Sequence, residues 1–177
     1  MGKYIIAGLK VEFDVRYDVL RERAKAYEAD FDSSETDIKI NITDEYLEKK
    51  KEEIPQMSMP NHEYFWTGNV FNIRLIDHNG IMIHSSCVEK DGYAYLFSAD
   101  SGTGKSTHTH IWLKNLPGTR IINDDKPALI KENDIWYACG TPFSGKTDEN
   151  INVKVPVRAI TFIKRGTENK VSKMNVE

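Results

Sequence analysis

Between Ala99 and Thr107 the chain reads ADSGTGKST, directly after the apolar run Tyr93 to Ala99. Holding a nucleotide's phosphates takes several backbone N–H donors converging on one small volume, where side chains would obstruct the approach. Gly102 and Gly104 leave the backbone bare at that point. A helix beginning near Lys105 adds unpaired amides and the positive end of its dipole. The Lys105 ammonium would then reach the β- and γ-phosphates, and the Ser106 hydroxyl would sit on a magnesium ion. Asp100, Ser101, Gly102, Thr103, Gly104, Lys105, Ser106 and Thr107 are therefore the candidate nucleotide-binding residues. The full pattern G-x-x-x-x-G-K-[ST] fails only at its first position, where Ala99 stands. Its intact core, G-x-G-K-[ST], arises by chance in about one chain of this length in 170. The strand before it and the apolar Ile111, Trp112 and Leu116 after it make a phosphate loop the better reading.

The stretch Arg120-Ile-Ile-Asn-Asp-Asp-Lys126 ends an apolar strand in two adjacent carboxylates, Asp124, eighteen residues after Ser106, and Asp125. Magnesium favours carboxylate oxygens and water, and a second carboxylate can accept the proton of an attacking hydroxyl. Adjacent like charges are unfavourable without a cation, and Lys126 offers part of that compensation. His84 lies in a strand ahead of the loop, a position that by itself fits a structural histidine. His108 and His110 stand at i and i+2 and point to different helix faces, a poor metal pair. His62 and His78 carry no pattern.

The elements that must position these residues follow from hydrophobic periodicity. Lys3 to Phe13 reads as a strand. Tyr17, Leu20, Ala24 and Tyr27 mark one face of a helix, and Ile38, Ile40 and Ile42 mark a half-buried strand. Thr43 can cap a helix that stops before Pro55, and its EKKKEE run is a solvated face. Gln56 to Asn61 reads as a loop; Glu63 to Ile76 holds Tyr64, Phe65, Trp66, Phe71 and Leu75, and a short helix ending at Gly80 is expected. Strands are expected at Ile81 to Val88 and Tyr93 to Ala99, joined by a hairpin at Asp91-Gly92. Further strands are expected at Arg120 to Asn123, Ala128 to Ile130, Ile135 to Cys139 and Val157 to Ile163. The division is 1–60, an N-terminal α/β portion, and 61–177, a catalytic core. Polar residues 164–177 follow a strong strand, and a sheet covered on both faces wants more than the four helices expected. A core incomplete at its C-terminus is therefore left open.

Composition narrows the partners. In 177 residues there are 24 Lys and Arg against 27 Asp and Glu, a formal charge of −3. No basic field exists to gather nucleic acid or an anionic membrane, so phosphate recognition must be local. No apolar stretch approaches the roughly 20 residues of a spanning helix, and Lys10 interrupts the short apolar run at the N-terminus. Cys87 and Cys139 form no C-x-x-C and read as small buried groups, as in a cytoplasmic protein. Nothing in the sequence excludes a homo-oligomer.

From His84 through ADSGTGKST to IINDD, the chain resembles the catalytic domain of HPr kinase/phosphorylase and, more distantly, ATP-dependent phosphoenolpyruvate carboxykinase. The likeness to a broader HPr-kinase-like group runs on through GTPFSGK (140–146) and VPVRAITFIKRG (155–166). It implies an α/β P-loop kinase fold of that type, with a mixed sheet flanked by helices, and ATP and Mg2+ as cofactors. It further implies Lys105 on phosphate, Ser106 and Asp124 toward the metal, Asp125 as catalytic base and His84 beside the transferred group. Lys146 becomes a candidate phosphate or acceptor contact. The family's glutamate metal ligand and its basic HPr-recognising loop have no counterpart here. The acceptor implied is thus a Ser/Thr hydroxyl of a protein or peptide. Two other readings stay open: a non-catalytic ATP-binding regulatory module, and carboxykinase-like transfer to a small acid, for which Arg158 and Lys146 are the available cations.

Overall fold

The first 13 residues form a hairpin rather than one strand. In the computed structural model, which describes residues 1–174, β1 (Gly2–Ile6) and β2 (Leu9–Phe13) pair antiparallel around Ala7-Gly8. Both turn residues have positive φ, the geometry of a tight two-residue hairpin. The chain then forms α1 (Asp18–Ala24), and β3 (Ile38–Ile40) joins β2 in parallel. Next comes α2 (Asp44–Glu53), whose N-cap Thr43 hydroxyl accepts from the Tyr46 amide at 3.1 Å, as its sequence foretold.

The next helix, α3 (Met59–Leu75), begins inside the stretch expected to be a loop. Ser58 caps it through the Asn61 amide, and Pro60 occupies the first turn, where its missing N–H is no loss. Apolar periodicity hides this start, because Pro60, Asn61 and His62 interrupt it between Met59 and Tyr64.

The larger sheet comprises β4 (Gly80–Met82), β5 (Ser85–Lys90), β6 (Tyr93–Ser98), β7 (Arg120–Asn123), β8 (Ala128–Glu132), β9 (Ile135–Cys139) and β10 (Lys154–Phe162); α4 (Lys105–Asn115) lies between β6 and β7. The strand order is β4-β8-β9-β10-β6-β5-β7, with only β10 and β6 parallel. It is a mixed sheet flanked by helices, in an α/β fold. The hairpin at Asp91-Gly92 forms as expected, with both residues at positive φ.

Two bent strands curl this sheet. The chain runs from β4 into β5 alongside β7 and β8, and the gap is bridged by Ile83 N to Pro127 O (3.2 Å) and Ser85 N to Asp125 O (3.0 Å). β10 bends as well, leaving β9 after Pro156 and joining β6 from Val157. The curl encloses Cys87, Leu96, Ile122, Leu129, Ala138 and Val155. The alternating outward residues pack on two sides, as the period-2 pattern requires. Val88, Phe97 and Ile121 meet Trp112 of α4. Ala128, Ile130 and Cys139 meet Phe71 and Leu75 of α3, in one core with Val11, Phe13, Leu20 and Ile40. That core crosses residue 60, as α3 itself does. Both cysteines are free, and burial pushes both thiols up. Among the described residues, no helix is long and apolar enough to cross a membrane.

Candidate functional site

The ends and bends of the strands gather the candidate residues. β6 ends at Ser98, and the chain turns through Asp100 to Thr103, where the Thr103 amide donates to the Asp100 carbonyl at 3.2 Å. Gly102 and Gly104 have φ of +77° and +116°, and a Cβ at either would meet nothing within 4 Å. Backbone conformation, not crowding, is what requires glycine at these two positions. α4 then starts with no side-chain cap, so the amides of its first turn remain open.

Lys105 begins that helix and is only 8% exposed. Its ammonium donates to the Ala99 carbonyl at 3.1 Å, and among the described residues it has no carboxylate partner. A buried cation with spare donors is unfavourable until an anion arrives. This supports the reading of the loop as a phosphate cradle. Arg165, from the segment after β10, donates to the Gly102 carbonyl at 2.7 Å and braces the loop from outside.

Across the cleft, the Asp-Asp turn occupies the bend between β7 and β8. The Asn123 side-chain oxygen accepts from the amides of Asp125 (2.9 Å) and Lys126 (2.7 Å), an Asx turn that fixes both carboxylates in place. Asn123 is itself fully buried and donates to the Thr141 carbonyl at 2.9 Å. Asp124 is buried; Ser86 donates to one of its carboxylate oxygens and Thr147 donates to the other at 3.0 Å. Asp125 is more open, and its carboxylate lies 3.3 Å from Nε2 of His84, which occupies the facing bend between β4 and β5.

One cleft of about 500 Å3 is lined by His84, by Ser101, Gly102, Gly104, Lys105, Ser106 and Thr107, by Asp124 and Asp125, and by Ser144 to Thr147. Of the candidate residues, it gathers all but Asp100 and Thr103, which shape the turn without lining it. Lys146 lines it too. Arg158 does not: its guanidinium stands over the Tyr93 ring at 5.7 Å.

The donor set fits magnesium in one manner. Among the described residues, no group of three or more His, Cys, Asp or Glu side chains could hold a metal alone. Magnesium often takes one or two protein oxygens and completes its shell with water and substrate phosphates. The Asp124 carboxylate and the Ser106 hydroxyl in one cleft provide such a pair.

Sequence reading missed four contributors: Ser86, Ser144, Gly145 and Thr147. Within GTPFSGK only Lys146 stands out as a site candidate in the sequence, while Gly145 packs against Asp125 so closely that a Cβ would lie 2.7 Å from the Asp125 Cβ. The histidines after the loop behave differently from one another. Burial lowers the pKa of His108, which packs edge-on against Phe97. The pKa of His110 is raised by the Ser106 carbonyl at 2.6 Å and by Glu149 at 3.2 Å.

No protein-family model matches this chain, and no curated protein sequence matches it. Among solved structures, the chain is similar to the Hpr(Ser) kinase/phosphatase from Coxiella burnetii, with 14% sequence identity and a TM-score of 0.40. The alignment covers 52% of this chain and 65% of that one, so it spans less than two thirds of the other protein's length.

Proposed function

We propose that this chain is an ATP- and magnesium-dependent kinase that transfers the γ-phosphoryl group to a Ser/Thr hydroxyl of a protein or peptide. One observation carries the reading: the buried ammonium of Lys105, with no carboxylate partner among the described residues, shares a cleft with a paired carboxylate and a histidine. The open amides of α4 and Lys105 would hold the β- and γ-phosphates. Magnesium, held by Ser106 and Asp124, would supply neutralisation of phosphate charge. Asp125 would take the proton of the acceptor hydroxyl as its oxygen bonds to the γ-phosphorus. The bond from that phosphorus to the β–γ bridging oxygen would break, with its electron pair leaving on ADP. His84 would orient Asp125 and sit beside the transferred group. Positioning and charge neutralisation are the usual sources of catalysis in phosphoryl transfer.

Transfer to a small acid through an Arg158–Lys146 pair has less support, because Arg158 lies outside the cleft. The decisive experiment compares Asp125→Asn with the unmutated chain. Calorimetry should show Mg-ATP binding in both, while phosphoryl transfer falls by about 10²-fold or more in the variant. Equal transfer rates would remove Asp125 as the base. Binding without turnover in both chains would instead favour the regulatory-module reading.

A further inference from the structure

A second, smaller cavity of about 210 Å3 adjoins the cleft, and His84 lines both. Its walls come from α3 and the β4–β5 bend: Phe65, Met82 and Ile83 are the apolar part, and Asn69 and Lys126 supply donors. Lys126 follows Asp125 directly, and its ammonium stands 5.4 Å from the Phe65 ring centroid. Among the described residues neither Lys126 Nζ nor the Asn69 amide has a hydrogen-bond or ion-pair partner. No carboxylate among the described residues lines this cavity.

An open ammonium and an open amide above an apolar floor attract a small anion. One cation matches a singly charged carboxylate better than a phosphate dianion. The volume lies below the roughly 300–1,000 Å3 of complete small-molecule sites, so it suits one residue-sized group. We infer that this cavity is the acceptor subsite, and that it selects hydroxyl acceptors bearing a carboxylate next to the reactive group. The inference rests on the kinase reading of the larger cleft. That carboxylate could belong to an Asp or Glu flanking the Ser or Thr of a peptide, or to a free small hydroxy acid. With the carboxylate on Lys126 and Asn69, the hydroxyl would pass His84 toward Asp125.

The test uses two labelled serine peptides identical except for Glu or Gln beside the serine, with free L-serine as a third acceptor. Binding is read by anisotropy for the peptides and by calorimetry for L-serine. Phosphoryl transfer from Mg-ATP is read separately. The unmutated chain should bind and phosphorylate the Glu peptide with a Kd and KM about tenfold or more below those of the Gln peptide. In Lys126→Glu the ratio should fall to about one or invert, and Asn69→Asp should weaken it as well. Lys131→Ala, near the end of β8, should keep it. Preference for L-serine over both peptides, lost in Lys126→Glu, would assign the subsite to small hydroxy acids. An unchanged Glu/Gln ratio in Lys126→Glu, with L-serine binding equally unaffected, would overturn the subsite even if transfer from ATP is intact. A chain that binds the Glu peptide through Lys126 but does not bind Mg-ATP would overturn the kinase reading instead.

Discussion

Lys105 illustrates at the residue scale how a candidate binding site opposes stability. Its ammonium is held in the fold with one carbonyl partner and, among the described residues, no counter-charge. Sites built for a ligand often carry such an uncompensated group, which burdens the empty protein and is relieved on binding. Lys105→Met should therefore melt no lower than the unmutated chain, while its Mg-ATP affinity falls by at least about tenfold. A thermal melt paired with calorimetry separates the two effects. The neighbouring histidines give a second residue-scale prediction. A raised pKa means that His110 stabilises the fold fully below its unfolded value of 6.5, and that this contribution is lost as pH rises through the higher folded value. His108 has the opposite sign: with its pKa lowered, it weakens the fold as pH drops below 6.5. In an NMR titration His110 should have a midpoint above 6.5 and His108 one below it. Glu149→Gln should move only the His110 midpoint downward.

At the scale of elements, the segment from Gly140 to Asn150 decides where Asp125 points, and it is held from a distance. The Gly145 carbonyl accepts from Arg23 of α1, and its amide donates to the Tyr64 hydroxyl of α3 at 3.0 Å. Tyr27 donates to Asn150 at 2.7 Å, and Asn150 donates to Ser144 at 2.9 Å. Gly145 has a φ of +72° and no room for a Cβ against Asp125. Gly145→Ala should destabilise the fold by about 1–3 kcal/mol in a denaturant melt. It should also depress phosphoryl transfer more than Mg-ATP binding, because the clash falls on the carboxylate side of the cleft. These couplings explain what the sequence left unread. The candidate phosphate loop was legible because its residues are contiguous, a glycine-rich turn between a strand and a helix. The Asp-Asp turn was legible because it ends an apolar strand. Ser86 and Thr147 hold Asp124 from strands and loops far along the chain, and no local spacing encodes that contact. The hairpin at Ala7-Gly8 went unread because alanine rarely adopts the positive φ it has there.

On the scale of the whole molecule, the first 60 residues are joined to the cleft by core packing and by a buried charge. Glu63 of α3 is fully buried, and its two oxygens accept from the Arg16 amide at 2.8 Å and the Tyr17 amide at 3.0 Å. These amides lead into α1, so the carboxylate also meets the positive end of that helix. The Arg16 guanidinium lies 3.6 Å away and bonds to the Ile42 carbonyl. Glu63 thereby ties α1 and the small sheet to the helix that packs under β4, β8 and β9. Removing the carboxylate leaves the Arg16 and Tyr17 amides without their acceptor, a loss of about 1–3 kcal/mol for each, while the guanidinium keeps the Asp44 carboxylate at 2.5 Å and the Ile42 carbonyl. Glu63→Ala should lower stability by an amount near that range, while Glu63→Gln keeps an acceptor oxygen and should lose less. Because one core crosses residue 60, both variants should still unfold in a single transition followed identically by tryptophan fluorescence and far-UV circular dichroism. Two separate transitions would show instead that the N-terminal elements fold apart from the cleft. Arg23 and Tyr27 could then no longer be what holds Gly145 against Asp125.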